Sequence, residues 1–277
     1  MCGIAGIISN KRDISRELNR ISKYLVHRGP DHTSSYVKNI LGLLHTRLSI
    51  IDLSENGNQP LTDQSGRYVI TYNGEAYNFL ELKEDLINKG YTFKSKTDTE
   101  VILNGFIAYG HDFFNKINGF YALCIYDTVK NELTLSRDAC GKKPLYYSLI
   151  NNEFFFASEI KPLLEFFHNV PSPNYNGMSH YLWKGYYVDE HSAYSNLYSL
   201  LPGEIIRVNI SEDNQINIIK LGQSEQISLK VNNKYNLRDI EEIYYELSRS
   251  IKYRMISDVP VSFLLSGGID SSLISLI

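Results

Sequence analysis

The chain has 277 residues, of which 43% are hydrophobic and 21% are charged, enough for one large domain or for two domains with buried cores. A formal charge of −3 together with the apolar content excludes an intrinsically disordered protein. The same charge balance argues against a nucleic-acid-binding protein that relies on phosphate contacts. The three cysteines, Cys2, Cys124 and Cys140, are too few for a disulfide framework and indicate a reducing compartment.

The beginning of the chain does not have the composition of a leader sequence. Residues 1–8 carry no basic segment and their apolar run is short, so we do not expect a signal peptide. No stretch approaches the roughly 18 apolar residues of a membrane-spanning helix. We therefore expect a soluble cytoplasmic protein that has neither a membrane nor a nucleic-acid partner.

The first 210 residues are rich in predicted strands, which are interrupted by three predicted helices. Short apolar or alternating runs predict strands over residues 3–8, 41–45, 68–72, 121–126, 133–137, 145–147 and 154–157. Apolar residues at helical spacing predict helices over residues 14–25, 79–89 and 99–109. Strands with interleaved helices favour a layered α+β domain, which we place over residues 2–210.

The pattern changes after this region. Residues 211–236 are polar and weakly patterned, which predicts a linker. Apolar residues on one helical face then predict a helix over residues 237–251, and an apolar run predicts a buried strand over residues 259–265. The sequence SGGIDSS (266–272) follows and opens a second helix. This order is the first step of a parallel α/β domain, so residues 237–277 would be the incomplete beginning of such a domain.

Cys2, which precedes Gly3, is the most informative residue of the N-terminus. Cysteine is small enough for the initiator Met1 to be removed, and removal would leave a thiol and a free α-amine on one residue. An α-amine titrates at about 7.7–8.0, and a thiolate is a strong nucleophile. Base and nucleophile would then share one residue. The alternative is that Cys2 is only a small buried apolar side chain.

Polar residues beside predicted strands and a helix could hold an amino acid. A guanidinium such as that of Arg47 pairs with an α-carboxylate through two bonds, and a carboxylate such as Asp98 matches an α-ammonium group. The Asn73 side chain and the Gly74 N–H could form an oxyanion hole. Each also has a plainer interpretation: a surface ion pair for Arg47, a helix cap for Asp98 and a turn for Asn73-Gly74.

Seven segments together resemble the class II glutamine amidotransferases. They follow one another in the expected order through nearly all of residues 2–210: CGIAGII (2–8), HRGPD (27–31), RLSII (47–51), YNGEAYN (72–78), TDTE (97–100), RDACGKKPLYY (137–147) and FASEIKPLL (156–164). The resemblance implies a four-layer αββα sandwich of the Ntn-hydrolase type. Ala76 and the pair Ala139-Cys140 depart from the usual family residues, and we expect only local changes of packing from them.

The resemblance also implies a reaction and its catalytic residues. Cys2 would attack the side-chain amide of L-glutamine, form a glutamyl thioester and release ammonia. Asn73 and Gly74 would form the oxyanion hole. No cofactor and no metal site is implied for this half-reaction.

Further residues are implied to bind glutamine. Arg47 would hold the α-carboxylate, and Asp98 would hold the α-amine. Leu48 and Ile51 would contribute main-chain contacts, and Glu75 would contribute a further substrate contact. Asn73 and Gly74 belong to this set as well, because they would contact the reacting amide.

The SGGIDSS segment indicates a second site. Its glycines allow the backbone to wrap around a phosphate, and its serines with the helix N-terminus add donors; a glycine turn with serine caps is the plainer interpretation. Together with residues 257–260 it resembles the pyrophosphate loop of the asparagine synthetase family. That resemblance implies ATP binding by Leu265, Ser266, Gly267, Gly268, Asp270, Ser271 and Ser272.

For the longer enzyme, the family resemblance implies ATP and Mg²⁺ as cofactors and L-aspartate as the carboxylate that receives ammonia. The acceptor pocket would lie beyond Ile277, so residues 2–277 alone would support glutamine hydrolysis only. Relatives that amidate another carboxylate, such as β-lactam synthetases or cell-surface-sugar amidating enzymes, are the alternative, and so is a non-catalytic protein. A homodimer is compatible with the resemblance.

Overall fold

The computed structural model describes residues 1–167, 169–223 and 237–277. Strands and helices alternate through its first part. The strands are β1 (Gly3–Ile8), β2 (His32–Lys38), β3 (Leu41–Arg47), β4 (Leu61–Thr62), β5 (Tyr68–Ala76), β6 (Gly119–Asp127), β7 (Glu132–Arg137), β8 (Tyr146–Ile150), β9 (Glu153–Ala157), β10 (Tyr198–Ser199), β11 (Glu204–Ile210) and β12 (Ile216–Gln223). The α-helices are α1 (Ile14–Ser22), α2 (Phe79–Asn88), α3 (Asp98–Tyr109), α4 (Ile160–Leu164), α5 (Tyr175–Lys184), α6 (Leu237–Arg254) and α7 (Ile269–Leu276).

Two antiparallel six-stranded sheets form the framework. The strand order is β10-β8-β9-β1-β3-β2 in the first sheet and β12-β11-β7-β6-β5-β4 in the second. Strand β1 lies in the middle of the first sheet, and all of its residues are buried. An entirely apolar strand such as Gly3–Ile8 is stable only when both faces are covered. Its position fixes Cys2 at the end of a central strand.

Apolar side chains fill three layers around the sheets. The inner faces meet in one cluster, which includes Ile4 and Leu43 from the first sheet and Leu135 from the second. A second cluster packs α2 and α3 on the outer face of the second sheet, and a third packs α1 and α4 on the outer face of the first. The resulting order of helices, sheet, sheet and helices confirms the predicted four-layer αββα sandwich.

The predicted helices and strands of residues 2–210 are present, with small shifts at their ends. Helix α1 ends at Ser22, three residues before the predicted end, and turns follow it. Strand β2 was not predicted because it lies at a sheet edge with alternating exposed residues and a polar sequence, HTSSYVK. Edge strands have little apolar periodicity to reveal them.

A strand occupies part of the predicted linker. Strand β12 (Ile216–Gln223) lies within residues 211–236 and pairs along its length with β11. It too is an edge strand, and its exposed residues mask the alternation of the inward-facing Ile216 and Ile218. Residues 224–236 lie outside the described residues, and the domain boundaries at 210 and 237 stay predictions.

The predicted strand over residues 259–265 is absent. This segment contains no strand in the structure, and Leu264 is 97% exposed. A strand needs a neighbour for its backbone hydrogen bonds, and the described residues supply none here. The predicted helices on either side, α6 and α7, are both present. Within the residues that the structure describes, no helix has the length and apolarity needed to cross a membrane.

His45 connects the two sheets and should make stability depend on pH. It is fully buried on β3, and its Nε2 lies 3.2 Å from the Tyr72 carbonyl oxygen on β5. Burial lowers the pKa of His45 from 6.5 to about 3. As the pH falls below 6.5, His45 becomes protonated in the unfolded chain but stays neutral in the folded chain. The free energy of unfolding is therefore unaffected by His45 above that pH and decreases as the pH drops towards 3.

Between pH 7 and pH 5 this residue should cost about 2 kcal/mol of the free energy of unfolding. A His45→Gln variant keeps an N–H donor for the Tyr72 carbonyl but does not titrate. Urea unfolding at both pH values should show a smaller acid-induced loss in the variant than in the wild type. Equal losses would show that His45 is not the group responsible.

Candidate active site

One cavity of about 90 Å³ brings together every residue that the sequence analysis placed in glutamine binding or attack. It opens where the N-terminus of β1, the end of β3, the second half of β5 and the beginning of α3 converge. The predicted residues that line it are Cys2, Arg47, Leu48, Ile51, Asn73, Gly74, Glu75 and Asp98. Residues far apart in sequence therefore share one site because parts of three strands and one helix converge there.

Cys2 is held in place by its main chain and by its sulfur. Its carbonyl oxygen accepts a bond from Arg28 Nε at 3.0 Å, and Arg28 Nη1 also donates to Glu159 Oε1 at 2.9 Å. Its Sγ accepts from the Leu48 N–H at 3.5 Å. A Cβ at Gly3 would lie 2.6 Å from Thr46 Oγ1, so glycine permits the close approach of β1 to β3 that places the thiol.

The thiol needs a base if it is to act as a nucleophile. Burial raises the pKa of the Cys2 thiol, so the sulfur stays protonated at neutral pH unless a neighbouring group takes the proton. Burial also lowers the pKa of the α-amine of Met1, which favours an uncharged amine in this environment. Met1 lines the cavity beside Cys2. Removal of Met1 would expose a free α-amine on Cys2 itself.

Arg47 is buried, with its guanidinium enclosed by the loop that follows β3. Its Nη1 donates to the Ser54 carbonyl at 2.8 Å and to Asn58 Oδ1 at 2.9 Å, and its Nη2 donates to the Asp52 carbonyl. A Cβ at Gly57 would lie 2.1 Å from Nη2, so this glycine allows the loop to close over the side chain. The interpretation of Arg47 as a surface ion pair is wrong, because the side chain is buried and its guanidinium donates to neutral oxygens.

Asp98 presents a buried carboxylate to the same cavity. Thr97, rather than Asp98, caps α3, since the Thr97 side chain accepts from the Glu100 N–H. Asp98 Oδ2 instead accepts from the Tyr72 hydroxyl and the Ala76 N–H, both at 2.9 Å. The second bond comes from the main chain, so the departure from the family residue at Ala76 leaves it intact.

Among the residues that the structure describes, the Asp98 carboxylate forms no ion pair. Burial raises the pKa of its carboxyl group. A buried carboxylate without a counter-charge is costly. The ammonium group of a bound amino acid would supply that charge.

Asn73 provides an unused donor. It is almost fully buried, and its Nδ2 has no hydrogen-bond partner among the described residues. The turn predicted as the plainer interpretation of Asn73-Gly74 is wrong, because both residues lie inside β5 and pair with Ala122 and Tyr121 of β6. A buried donor without a partner costs about 1–3 kcal/mol, and a ligand oxygen would remove that cost.

Other residues of the cavity were not predicted. Gln59 joins two sides of it, since its Nε2 donates to Thr99 Oγ1 at 3.1 Å and its Oε1 accepts from the Tyr72 N–H at 2.7 Å. Lys143 faces Glu75 across the cavity; burial lowers the pKa of Lys143 and raises that of Glu75. The segment RDACGKKPLYY was a usable signal for Lys143, whereas Gln59 had none.

The seven residues predicted to bind ATP gather at the N-terminus of α7. Gly268 is the N-cap and, having no side chain, makes no capping bond to the first N–H groups of the helix. Gly267 has a φ of 82° with open space where a Cβ would lie, and Ser266 Oγ lies 3.0 Å from Ser271 Oγ. Backbone N–H groups and hydroxyls fit a phosphate. Within the described residues there is no cluster of three or more metal-binding side chains.

Comparison with known proteins matches two family models to the chain. The family model "Glutamine amidotransferase domain" matches residues 1–217, and the model "Asparagine synthase" matches residues 242–277. Asparagine synthetase 1 (glutamine-hydrolysing) of Bacillus subtilis is 32% identical over 99% of this chain and 43% of its own length. Asparagine synthetase 2 of the same organism is 34% identical over 99% of this chain and 38% of its own. The chain therefore spans less than half the length of these two relatives.

A solved structure shares the fold. The glutamine phosphoribosylpyrophosphate amidotransferase of B. subtilis superposes with a TM-score of 0.57 at 19% identity. The superposition covers 80% of this chain and 49% of that one. At this identity the likeness supports the sandwich architecture alone.

Proposed function

Since this chain belongs to the glutamine amidotransferase family, we propose that it hydrolyses L-glutamine to L-glutamate and ammonia at Cys2. The observation that carries the proposal is the single cavity in which a thiol, a buried cation, a buried anion and an unused amide donor meet. Arg47 and Asp98 provide opposite charges for the two charged ends of an α-amino acid. The thiol and the Asn73 amide remain for the side-chain carboxamide.

The proposed reaction begins when the α-amine exposed by loss of Met1 takes the Cys2 thiol proton. The thiolate attacks the carboxamide carbon, and the developing oxyanion accepts bonds from Asn73 Nδ2 and the Gly74 N–H. The carbon–nitrogen bond then breaks as the amine returns the proton to the leaving nitrogen, which departs as ammonia. Water attacks the remaining thioester by the same route, releasing glutamate and restoring the thiol.

The match to asparagine synthase supports a second proposal, that the full-length protein uses this ammonia to amidate L-aspartate. In it the N-terminus of α7, with Ser266, Ser271 and Ser272, would hold the phosphates of ATP. ATP with Mg²⁺ would supply activation of the acceptor carboxylate by adenylation. The three free cysteines fit a reducing compartment, and we propose the cytoplasm.

The experiment that tests the first proposal uses the chain with glutamine and with a diazoketone analogue of glutamine. The chain should release glutamate and ammonia in equal amounts. The analogue should block that release and add its mass to the peptide that begins with Cys2. Absence of both activity and adduct from processed protein would refute the proposed hydrolysis.

Removal of Met1 should be required for activity. Intact-mass spectrometry of active protein should show a chain that begins at Cys2, because an internal cysteine has no α-amine to take its proton. A chain in which one glycine is placed between Met1 and Cys2 keeps the thiol but not the terminal amine, since processing would stop before Cys2. That extended chain should lose nearly all glutamine hydrolysis, and wild-type activity in it would refute the amine mechanism.

A further inference from the structure

Asp258 lies where the segment after α6 meets the loop that follows β3. Its N–H donates to the Ile50 carbonyl at 2.9 Å. Its Oδ2 accepts from the Asp52 N–H at 2.7 Å. These two bonds form a bridge between positions that are 206 residues apart in the sequence.

The bridge ends on the residue that helps to hold the substrate-binding arginine. The Asp52 carbonyl accepts from Arg47 Nη2. Asp52 has a φ of 57°, in the left-handed region that Asp and Asn adopt more readily than other residues with a Cβ. The Asp52 carboxylate accepts from the Lys96 N–H at 2.8 Å, and the Asp52 N–H is bound by Asp258. Both contacts restrict the direction of the carbonyl that meets Arg47.

Neighbouring contacts fix the segment that carries Asp258. The Arg254 guanidinium lies 4.3 Å from the centre of the Tyr77 ring, close to the end of β5. Ile256 packs against the apolar cluster on the outer face of the second sheet. The segment 254–258 therefore touches the glutaminase domain near both the Arg47 loop and the β5 end of the cavity.

We propose that Asp258 is a positioning residue for glutamine binding, which ties the beginning of the second domain to the loop around Arg47. It touches no reacting atom and acts by fixing the Ile51–Asp52 peptide, whose N–H it binds. The Ile51 carbonyl of that peptide accepts from Arg47 Nη2 at 3.4 Å, and the adjoining Asp52 carbonyl accepts from the same nitrogen. This inference rests on the proposed glutamine hydrolysis and extends it. It also explains how a residue eight positions before the phosphate loop can influence the glutamine site.

The test compares glutamine hydrolysis by the chain with Asp258→Ala and Asp258→Asn. Alanine removes the acceptor for the Asp52 N–H, and we expect KM for glutamine to rise about tenfold with little change in kcat. Asparagine keeps an acceptor oxygen, so KM should return close to the wild-type value. A purely structural role would lower the melting temperature without this separation of KM from kcat.

Glu212→Ala provides a matched control, since it removes an exposed acidic side chain from a turn outside the cavity and should leave KM unchanged. A double-mutant cycle that combines Asp258→Ala with Arg47→Lys adds a second measurement, the coupling between the two residues in KM. If Asp258 acts through Arg47, the two substitutions together should raise KM by less than the product of their separate effects.

The outcomes separate the inference from the proposed function. An inactive wild-type chain would refute the hydrolysis itself. An active wild-type chain in which Asp258→Ala leaves KM unchanged, or in which the two effects multiply, would overturn the role of Asp258 alone. If Asp258→Asn is as impaired as Asp258→Ala, the assigned hydrogen bond is wrong.

Discussion

Replacement of Cys2 by alanine should abolish glutamine hydrolysis while leaving the fold intact. Loss of a nucleophile in a covalent mechanism lowers kcat by several orders of magnitude, and here we expect at least about a thousandfold. The thiol makes only weak contacts with the Leu48 main chain, so its removal should shift the melting temperature little. Release of ammonia and glutamate under saturating glutamine measures the first effect, and thermal unfolding measures the second.

Cys140→Ala is the matched control for this experiment. Cys140 is an exposed free cysteine, so its loss should change neither activity nor labelling by the diazoketone analogue. Glutamine should still raise the melting temperature of Cys2→Ala, because Arg47 and Asp98 are unchanged. Substantial hydrolysis by Cys2→Ala would show that another group attacks the amide.

Much of the framework of the fold was predictable because most of its central elements carry strong patterns, although the interior strand β11 was not predicted. The apolar strand Gly3–Ile8, the hairpin of β6 and β7 and the helices α2 and α3 follow directly from periodicity. The edge strands β2 and β12 were not predicted, because a strand with only one neighbouring strand and a solvent-exposed face has a largely polar sequence. The expected strand over residues 259–265 failed for a related reason, because apolar composition cannot form a strand without a partner.

The site was predictable in its residues but not in its geometry. Motifs in the sequence identified Cys2, Arg47 and Asp98 as candidate site residues. That they line one cavity depends on the register between strands, which no local sequence pattern specifies. The plainer interpretation of Asp98 as a helix cap is wrong, because the capping-box spacing belongs to Thr97 and Glu100. Contacts between distant positions, such as Asp258 with the Arg47 loop, have no local signal at all.

Replacement of Arg47 by alanine should raise KM for glutamine by about a hundredfold, since the buried positive charge proposed to attract the α-carboxylate is lost. The effect on kcat should be smaller, because the guanidinium lies away from the reacting amide in the proposed pose. Arg47→Lys keeps the charge but not the paired donors and should give an intermediate KM. Initial rates across a wide range of glutamine concentration separate the two constants.

The carboxylate can be removed from the substrate as well as the cation from the protein. L-Glutamine α-amide lacks the anionic group, so the wild-type chain should use it with a KM far above that for glutamine. In Arg47→Ala the two substrates should differ much less, because the group that distinguishes them is gone. Equal discrimination by both proteins would mean that the α-carboxylate binds elsewhere. In that case the enclosed guanidinium would serve only to hold its own loop.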